Sequence, residues 1–203
     1  AILSFFNENK VKYNTVDETN HGTPISVSFQ GKEREEQLAA INALLMHSNG
    51  VLHATTAFGK TVTAVAIIAR KKVSTLILVH SKALLAQWHE RLTEFLNIDY
   101  VEPPVPNKRG RCKKFSAIGC LDSTGNSLHG IVDVALIQSC LDGDSVKPFV
   151  ENYGMVIVDE CHHVSSITFE NVLKGVKAHT VYGLTATPIR KDGHQPIIFM
   201  QCG

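Results

Sequence analysis

The chain has 203 residues, 44% apolar and 19% charged, with a formal net charge of +1. That length suits one large domain with a substantial core, and no uninterrupted apolar run approaches the roughly 18 residues of a membrane span, so no membrane partner is expected. The near-neutral balance excludes a global pull toward nucleic acid and leaves such a partner to local patches, while five cysteines without CxxC pairs and the lack of a basic-then-apolar leader point to a reduced, cytoplasmic setting.

Residues 1–33 read as a fringe outside the main pattern, the tail of a preceding domain. A short apolar start gives way to Asn- and Thr-rich stretches and then to the alternation Ile25-Ser26-Val27-Ser28-Phe29, which suits a half-exposed strand. From Glu35 the period becomes helical, with Leu38, Ile41, Leu44 and Leu45 on one face. Ser48-Asn49-Gly50 stops that helix, and Val51-Leu52 opens a short strand. The helix that follows Gly59 runs through Val62, Ala64, Val65, Ile67 and Ile68; apolar nearly all round, it is predicted to be buried. Further strands are predicted at Leu76–Val79, Ile131–Leu136, Met155–Val158 and Val181–Leu184. Between the first two of these, a helix capped by Ser81 presents Leu84, Leu85, Trp88, Leu92, Phe95 and Leu96 on one side and Gln87, Glu90, Arg91 and Glu94 on the other. Residues 101–130, rich in proline and glycine, read as a long surface loop with room for one short strand. Strands apolar on both faces and separated by helices imply a mostly parallel sheet with helices on both faces and ligands at the strands' carboxyl ends.

Chemistry concentrates in two stretches. Ala54-Thr55-Thr56-Ala57-Phe58-Gly59-Lys60-Thr61 follows a strand and opens a buried helix. The first N–H groups of such a helix lack internal partners, Gly59 lets the backbone come close, Lys60 can reach terminal phosphates, and the Thr61 hydroxyl can ligate magnesium. Alanine stands at the first position of the GxxxxGK[ST] pattern and again at position 57; if residue 57 needs a positive φ, alanine costs about 1 kcal/mol there. Far downstream, Asp159-Glu160-Cys161-His162 ends the apolar run Met155–Val158, so that Asp159 can hold the metal and Glu160 can orient and polarise a water. Together the two stretches describe a nucleoside triphosphatase.

With Asp-Glu-Cys-His as its acidic motif, the chain resembles the superfamily II helicases and translocases. Leu184-Thr185-Ala186-Thr187-Pro188-Ile189-Arg190-Lys191-Asp192-Gly193 is similar to their third motif in the branch related to type III restriction subunits and DNA-repair helicases. The segments from Leu78 to Trp88 and from Ala135 to Ser139 resemble two strand-contact motifs, and Arg34-Glu35-Glu36-Gln37 resembles the adenine-recognition segment. The resemblance covers residues 34–193 and implies that residues 34–203 form a RecA-like P-loop domain, the first lobe of a motor that uses ATP and Mg2+. It implies that Arg34 and Gln37 serve the adenine, that Thr56, Ala57, Phe58, Gly59, Lys60 and Thr61 cradle phosphate, and that Thr61 and Asp159 hold magnesium while Glu160 activates water. His80, Ser81, Lys82, Gln138 and Ser139 become nucleic-acid contacts, and His162, Thr185 and Thr187 become coupling residues. Ser81 and Ser139 each follow an apolar strand, where a helix start can meet a phosphate. The implied partners are nucleic acid, with DNA favoured over RNA, and a second RecA-like lobe supplying an arginine; without it, weak ATP binding and poor hydrolysis are expected of this chain.

Other readings stand beside this one. Ser81 and Ser139 also suit plain helix caps, the basic run from Lys108 to Lys114 suits a solvated loop as well as a phosphate grip, and Cys112 and Cys120 lack zinc-ligand spacing. The whole could be a nucleotide-binding interaction module without productive hydrolysis, or a small-molecule phosphotransferase, in which the threonines at 185 and 187 would have no obvious task.

Overall fold

The computed structural model describes residues 2–14, 16–100, 116–161 and 167–186. At its centre is a seven-stranded sheet in the order β2 (Asn49–His53), β11 (Thr180–Thr185), β10 (Met155–Val158), β3 (Thr75–Val79), β7 (Val132–Leu136), β5 (Ile118–Asp122) and β6 (Gly125–Asn126). Neighbouring strands are parallel throughout except β6, which turns back antiparallel on β5.

Every residue of β3, β7, β10 and β11 is buried, which follows from continuous apolar runs rather than alternating ones. Pleating sends successive side chains to opposite faces. Ile77, Val79, Val134 and Ile157 pack into a core with α2 (Glu35–Leu45), α3 (Lys60–Lys71) and α4 (Lys82–Phe95). Leu76, Leu78, Val156 and Val158 enter a second core with Phe169, Val172 and Leu173 of α5 (Ile167–Lys174). In α3 every residue from Thr63 to Ala69 is buried, as its apolar circumference predicts.

The sequence reading needs adjustment in two places. In α2 the buried positions are Gln37, Ile41 and Leu44, while Leu38 is 42% exposed. The inward stripe is turned by one position because the Gln37 amide, which hydrophobic periodicity ignores, is tied into the interior: Nε2 donates to the Phe58 carbonyl (2.8 Å) and Oε1 accepts from the Arg34 N–H (3.0 Å). Residues 118–122, within the 101–130 stretch read as a surface loop with room for one short strand, do form a strand, β5, but inside the main sheet rather than on the surface, paired with β7 from Ile118↔Val132 onward. Glycine is required there, since a Cβ on Gly119 would lie 2.0 Å from Asp133 Oδ1.

Asp133 is a fully buried carboxylate near the amino end of β7. It accepts from the N–H groups of His129 (3.1 Å) and Gly130 (2.7 Å) and from the Tyr153 hydroxyl (2.7 Å). Burial and the adjoining Asp133 carboxylate push the Tyr153 hydroxyl well above its ordinary pKa, so it stays a donor.

The amino-terminal segment carries α1 (Ile2–Glu8) and β1 (Val27–Phe29), the latter antiparallel to β4 (Leu96–Ile98). Asn20 forms a parallel bridge with Ala178, its N–H donating to Lys177 O (2.5 Å) and its carbonyl accepting from His179 N (2.9 Å). The stretch read as a fringe is thus fastened to the lobe through Asn20 and β1. A small hairpin, β8 (Leu141–Asp142) with β9 (Ser145–Val146), completes the order.

Candidate nucleotide and nucleic-acid site

The phosphate loop leaves β2, makes one 3-10 turn at Thr56–Phe58, and enters α3 through Gly59 at φ 83°, ψ 43°. This left-handed conformation is one that glycine adopts without a Cβ penalty. The conditional cost assigned to Ala57 does not arise, because the non-glycine residues at positive φ are Lys10, Lys72 and Glu160 among the described residues. The loop is held from its flank: the Arg34 guanidinium donates to the carbonyls of Ala57 (3.3 Å) and Phe58, and Gln37 shares the latter. Lys60, 7% exposed, donates Nζ to the carbonyls of Ala54 (3.0 Å) and Thr55 (3.4 Å).

Asp159 stands at the carboxyl end of β10 and is 6% exposed. Its own N–H donates to Leu78 O (3.0 Å), its Oδ1 accepts from the Glu160 N–H (2.9 Å), and its Oδ2 accepts from the Trp88 indole N–H (2.7 Å). Burial raises its pKa above the usual carboxylate value; Glu160's charge adds to this, while the Trp88 and Glu160 hydrogen bonds and the Lys60 charge pull the other way. Glu160 sits at φ 49°, a region disfavoured for residues with a Cβ and found where a site over-determines the backbone.

Gly59, Lys60 and Thr61 face Asp159 and Glu160 across one cleft of about 460 Å³, with Thr56 at its edge. Residues about a hundred positions apart in the chain thus share one pocket, while Ala57 and Phe58 present backbone carbonyls on its flank to Arg34 and Gln37. Two features escaped the sequence reading. Gln87 and Arg91, assigned to the outward side of α4, line this cleft. Trp88, assigned to the core, is fully buried but also directs its one polar atom at Asp159.

The five strand-contact candidates gather at the carboxyl ends of the neighbouring strands β3 and β7. Gln138 Nε2 reaches the His80 carbonyl (3.5 Å), Ser81 Oγ accepts from Leu84 N (3.3 Å) and caps α4, and the exposed Lys82 ammonium lies 3.4 Å from Asp122. Ser139 does not begin an α-helix; it lies in the 3-10 turn Ile137–Cys140, and its carbonyl takes a hydrogen bond from Lys147 Nζ (2.9 Å). The turn runs directly into β8, which leaves no room for a longer helix. Replacing Ser81 with alanine removes the α4 cap and is expected to lower stability by about 1 kcal/mol, read as a shift of the urea midpoint.

Thr185 ends β11 fully buried, beside His53 in register, and its carbonyl accepts from Ala54 N (3.1 Å). The strand leading to the third motif is therefore bonded to the first residue of the phosphate loop. His162, Thr187, the basic run at 108–114 and residues 187–193 lie outside the described residues.

A mostly parallel sheet with a phosphate loop on one strand and an acidic pair on another defines a RecA-like P-loop lobe. Residues 30–190 match the family described as type III restriction enzyme, res subunit, and the chain belongs to that family. It is 32% identical over 179 residues to protein 109L of Invertebrate iridescent virus 3, a helicase by name, covering 86% of this chain and 51% of that protein. Against the DNA 3'-5' translocase XPB2 of Sulfurisphaera tokodaii it is 30% identical over 160 residues, 79% of this chain and 32% of that one. Among solved structures, the UvsW helicase of bacteriophage T4 superposes with a TM-score of 0.64 at 16% identity, over all of this chain and 74% of that one. The chain spans about half the length of 109L and about a third of XPB2. No helix among the described residues is long and apolar enough to cross a membrane.

Proposed function

We propose that this chain is the ATP-binding lobe of an ATP-dependent helicase or translocase that couples hydrolysis to movement on nucleic acid. The observation carrying the proposal is the shared cleft of Lys60 and Thr61 with Asp159 and Glu160. Its oxygen donors, the Thr61 hydroxyl and the Asp159 carboxylate, suit magnesium, which prefers hard oxygen ligands and a few carboxylates. Bound there, magnesium would neutralise charge on the terminal phosphates.

The residues divide the work by position. Lys60 exchanges its two loop carbonyls for phosphate oxygens, helped by the free N–H groups at the start of α3. Arg34 and Gln37 brace the loop from the side where the resemblance places the adenine. Glu160, beside the metal-holding carboxylate, orients the attacking water and accepts its proton. Arginine for the departing phosphate comes from a second RecA-like lobe. His80, Ser81, Lys82, Gln138 and Ser139 face the nucleic acid from the carboxyl ends of β3 and β7, with DNA favoured over RNA on the resemblance of the third motif to that of DNA-repair helicases; the relatives include both a DNA translocase and RNA helicases by name. Thr185, joined to Ala54, relays the state of the phosphate loop together with His162 and Thr187.

Steady-state ATP hydrolysis by the full-length protein, measured with single-stranded DNA, duplex DNA, RNA or no polymer, tests this reading. DNA is expected to raise turnover most, and the 203-residue chain alone is expected to hydrolyse ATP far more slowly. An absence of hydrolysis with every polymer would favour a passive nucleotide-binding module.

A further inference from the structure

We propose that Trp88 is a positioning residue for Asp159, holding that carboxylate in the orientation in which it takes the divalent cation of the bound nucleotide. The inference rests on the reading of the cleft as a magnesium–nucleotide site. Asp159 has two oxygens with about four lone-pair directions between them. One on Oδ1 is taken by the N–H of Glu160 and one on Oδ2 by the indole N–H of Trp88, at 2.9 and 2.7 Å. The first donor is the adjacent residue and moves with Asp159. The second comes from a different element, so it alone fixes the carboxylate relative to α4.

Trp88 is well suited to hold still. Its ring is fully buried, one turn from the equally buried Leu92, and close packing of a side chain with two torsions leaves little freedom. Side chains from the same helix, Gln87 and Arg91, line the cleft, so the indole joins the cleft's α4 wall to the acidic strand end. Outer-shell donors of this kind orient metal-binding groups, and losing one typically costs 10–100-fold in metal affinity. A buried tryptophan N–H needs some acceptor, but a neutral carbonyl would satisfy it; here the acceptor is the carboxylate at the mouth of the phosphate loop.

The chain contains one tryptophan, so the indole N–H gives a single, unambiguous NMR signal. In the wild-type chain with ADP present, Mn2+ is expected to broaden that signal. In Trp88→Phe, which keeps an aromatic ring and deletes the donor, the Mn2+ concentration for half-saturation with ADP is expected to rise roughly 10–100-fold, while ADP affinity in EDTA stays unchanged. A purely structural role would weaken both binding events together or neither. If Trp88→Phe binds Mn2+ as the wild type does, the positioning role is wrong and the nucleotide site stands; if Mn2+ binds the wild-type ADP complex without touching the indole signal, the cation is not at Asp159 and the metal site fails together with the inference. If the full-length wild-type protein binds neither ADP nor Mn2+, the nucleotide site itself is wrong and the inference goes with it. Should Trp88→Phe fail to fold, the same Mn2+ and ADP titrations are made with benzothienylalanine incorporated at position 88, which keeps the bicyclic shape and lacks only the N–H donor.

Discussion

Replacing Glu160 with glutamine in the full-length protein is expected to lower nucleic-acid-stimulated ATP hydrolysis by about 10²–10⁴-fold, the usual contribution of a positioned general base, while ATP binding persists. Glutamine has nearly the same shape, so the backbone at φ 49° and the hydrogen bond from residue 160 N–H to Asp159 Oδ1 remain. What disappears is the carboxylate proposed to accept the proton from water. Single-turnover hydrolysis and nucleotide binding measured side by side separate the two effects. A motor in which Glu160 has this task loses the first and keeps the second; unchanged hydrolysis would move the base elsewhere in the cleft.

The largest stability effect is expected at the other end of the sheet. Asp133→Ala deletes the acceptor for the buried Tyr153 hydroxyl and for the part-buried backbone N–H groups of His129 and Gly130, leaving these donors to be satisfied by rearrangement or water. Each stranded donor costs about 1–3 kcal/mol, partly offset by removal of a buried charge, so the net loss should be about 2–4 kcal/mol out of the 5–15 typical of a domain. The urea midpoint should fall with little change in slope, and Tyr153→Phe, which removes one donor of the three, should cost about 1 kcal/mol. Because Asp133 lies near the amino end of β7, nucleotide affinity of the folded variant should be unaffected. An unshifted midpoint would mean that water already serves these donors.

Different parts of the molecule were legible in the sequence for different physical reasons. Strands β3, β7, β10 and β11 announced themselves because burial on both faces favours a nearly continuous apolar run, with Asp133 of β7 the charged exception among them. The cleft was legible because phosphate and magnesium chemistry restricts which residues can follow a strand. By contrast β5, Ile-Gly-Cys-Leu-Asp, has weak strand propensity of its own; its place comes from β7 and from a glycine that yields space to Asp133. Trp88 was rightly placed in the core, but its hydrogen bond to Asp159 was missed and Gln87 and Arg91 were misjudged, since periodicity sorts a helix into inside and outside and has no category for a face that borders a cleft. Gln37 misled the assignment of α2 for a related reason, being a polar residue whose burial is compensated by hydrogen bonds.

Sheet order also bears on how the protein is made. The strand that carries the phosphate loop, β2, enters the sheet by pairing with β11, the last strand of the described chain. At about 5–20 residues per second, a ribosome would deliver β11 many seconds after β2. Until then the nascent loop lacks the neighbour that receives the Ala54 N–H, so nucleotide cannot assist early folding, and a ribosomal product terminated before Thr180 should be a substrate for chaperones rather than a smaller ATP binder.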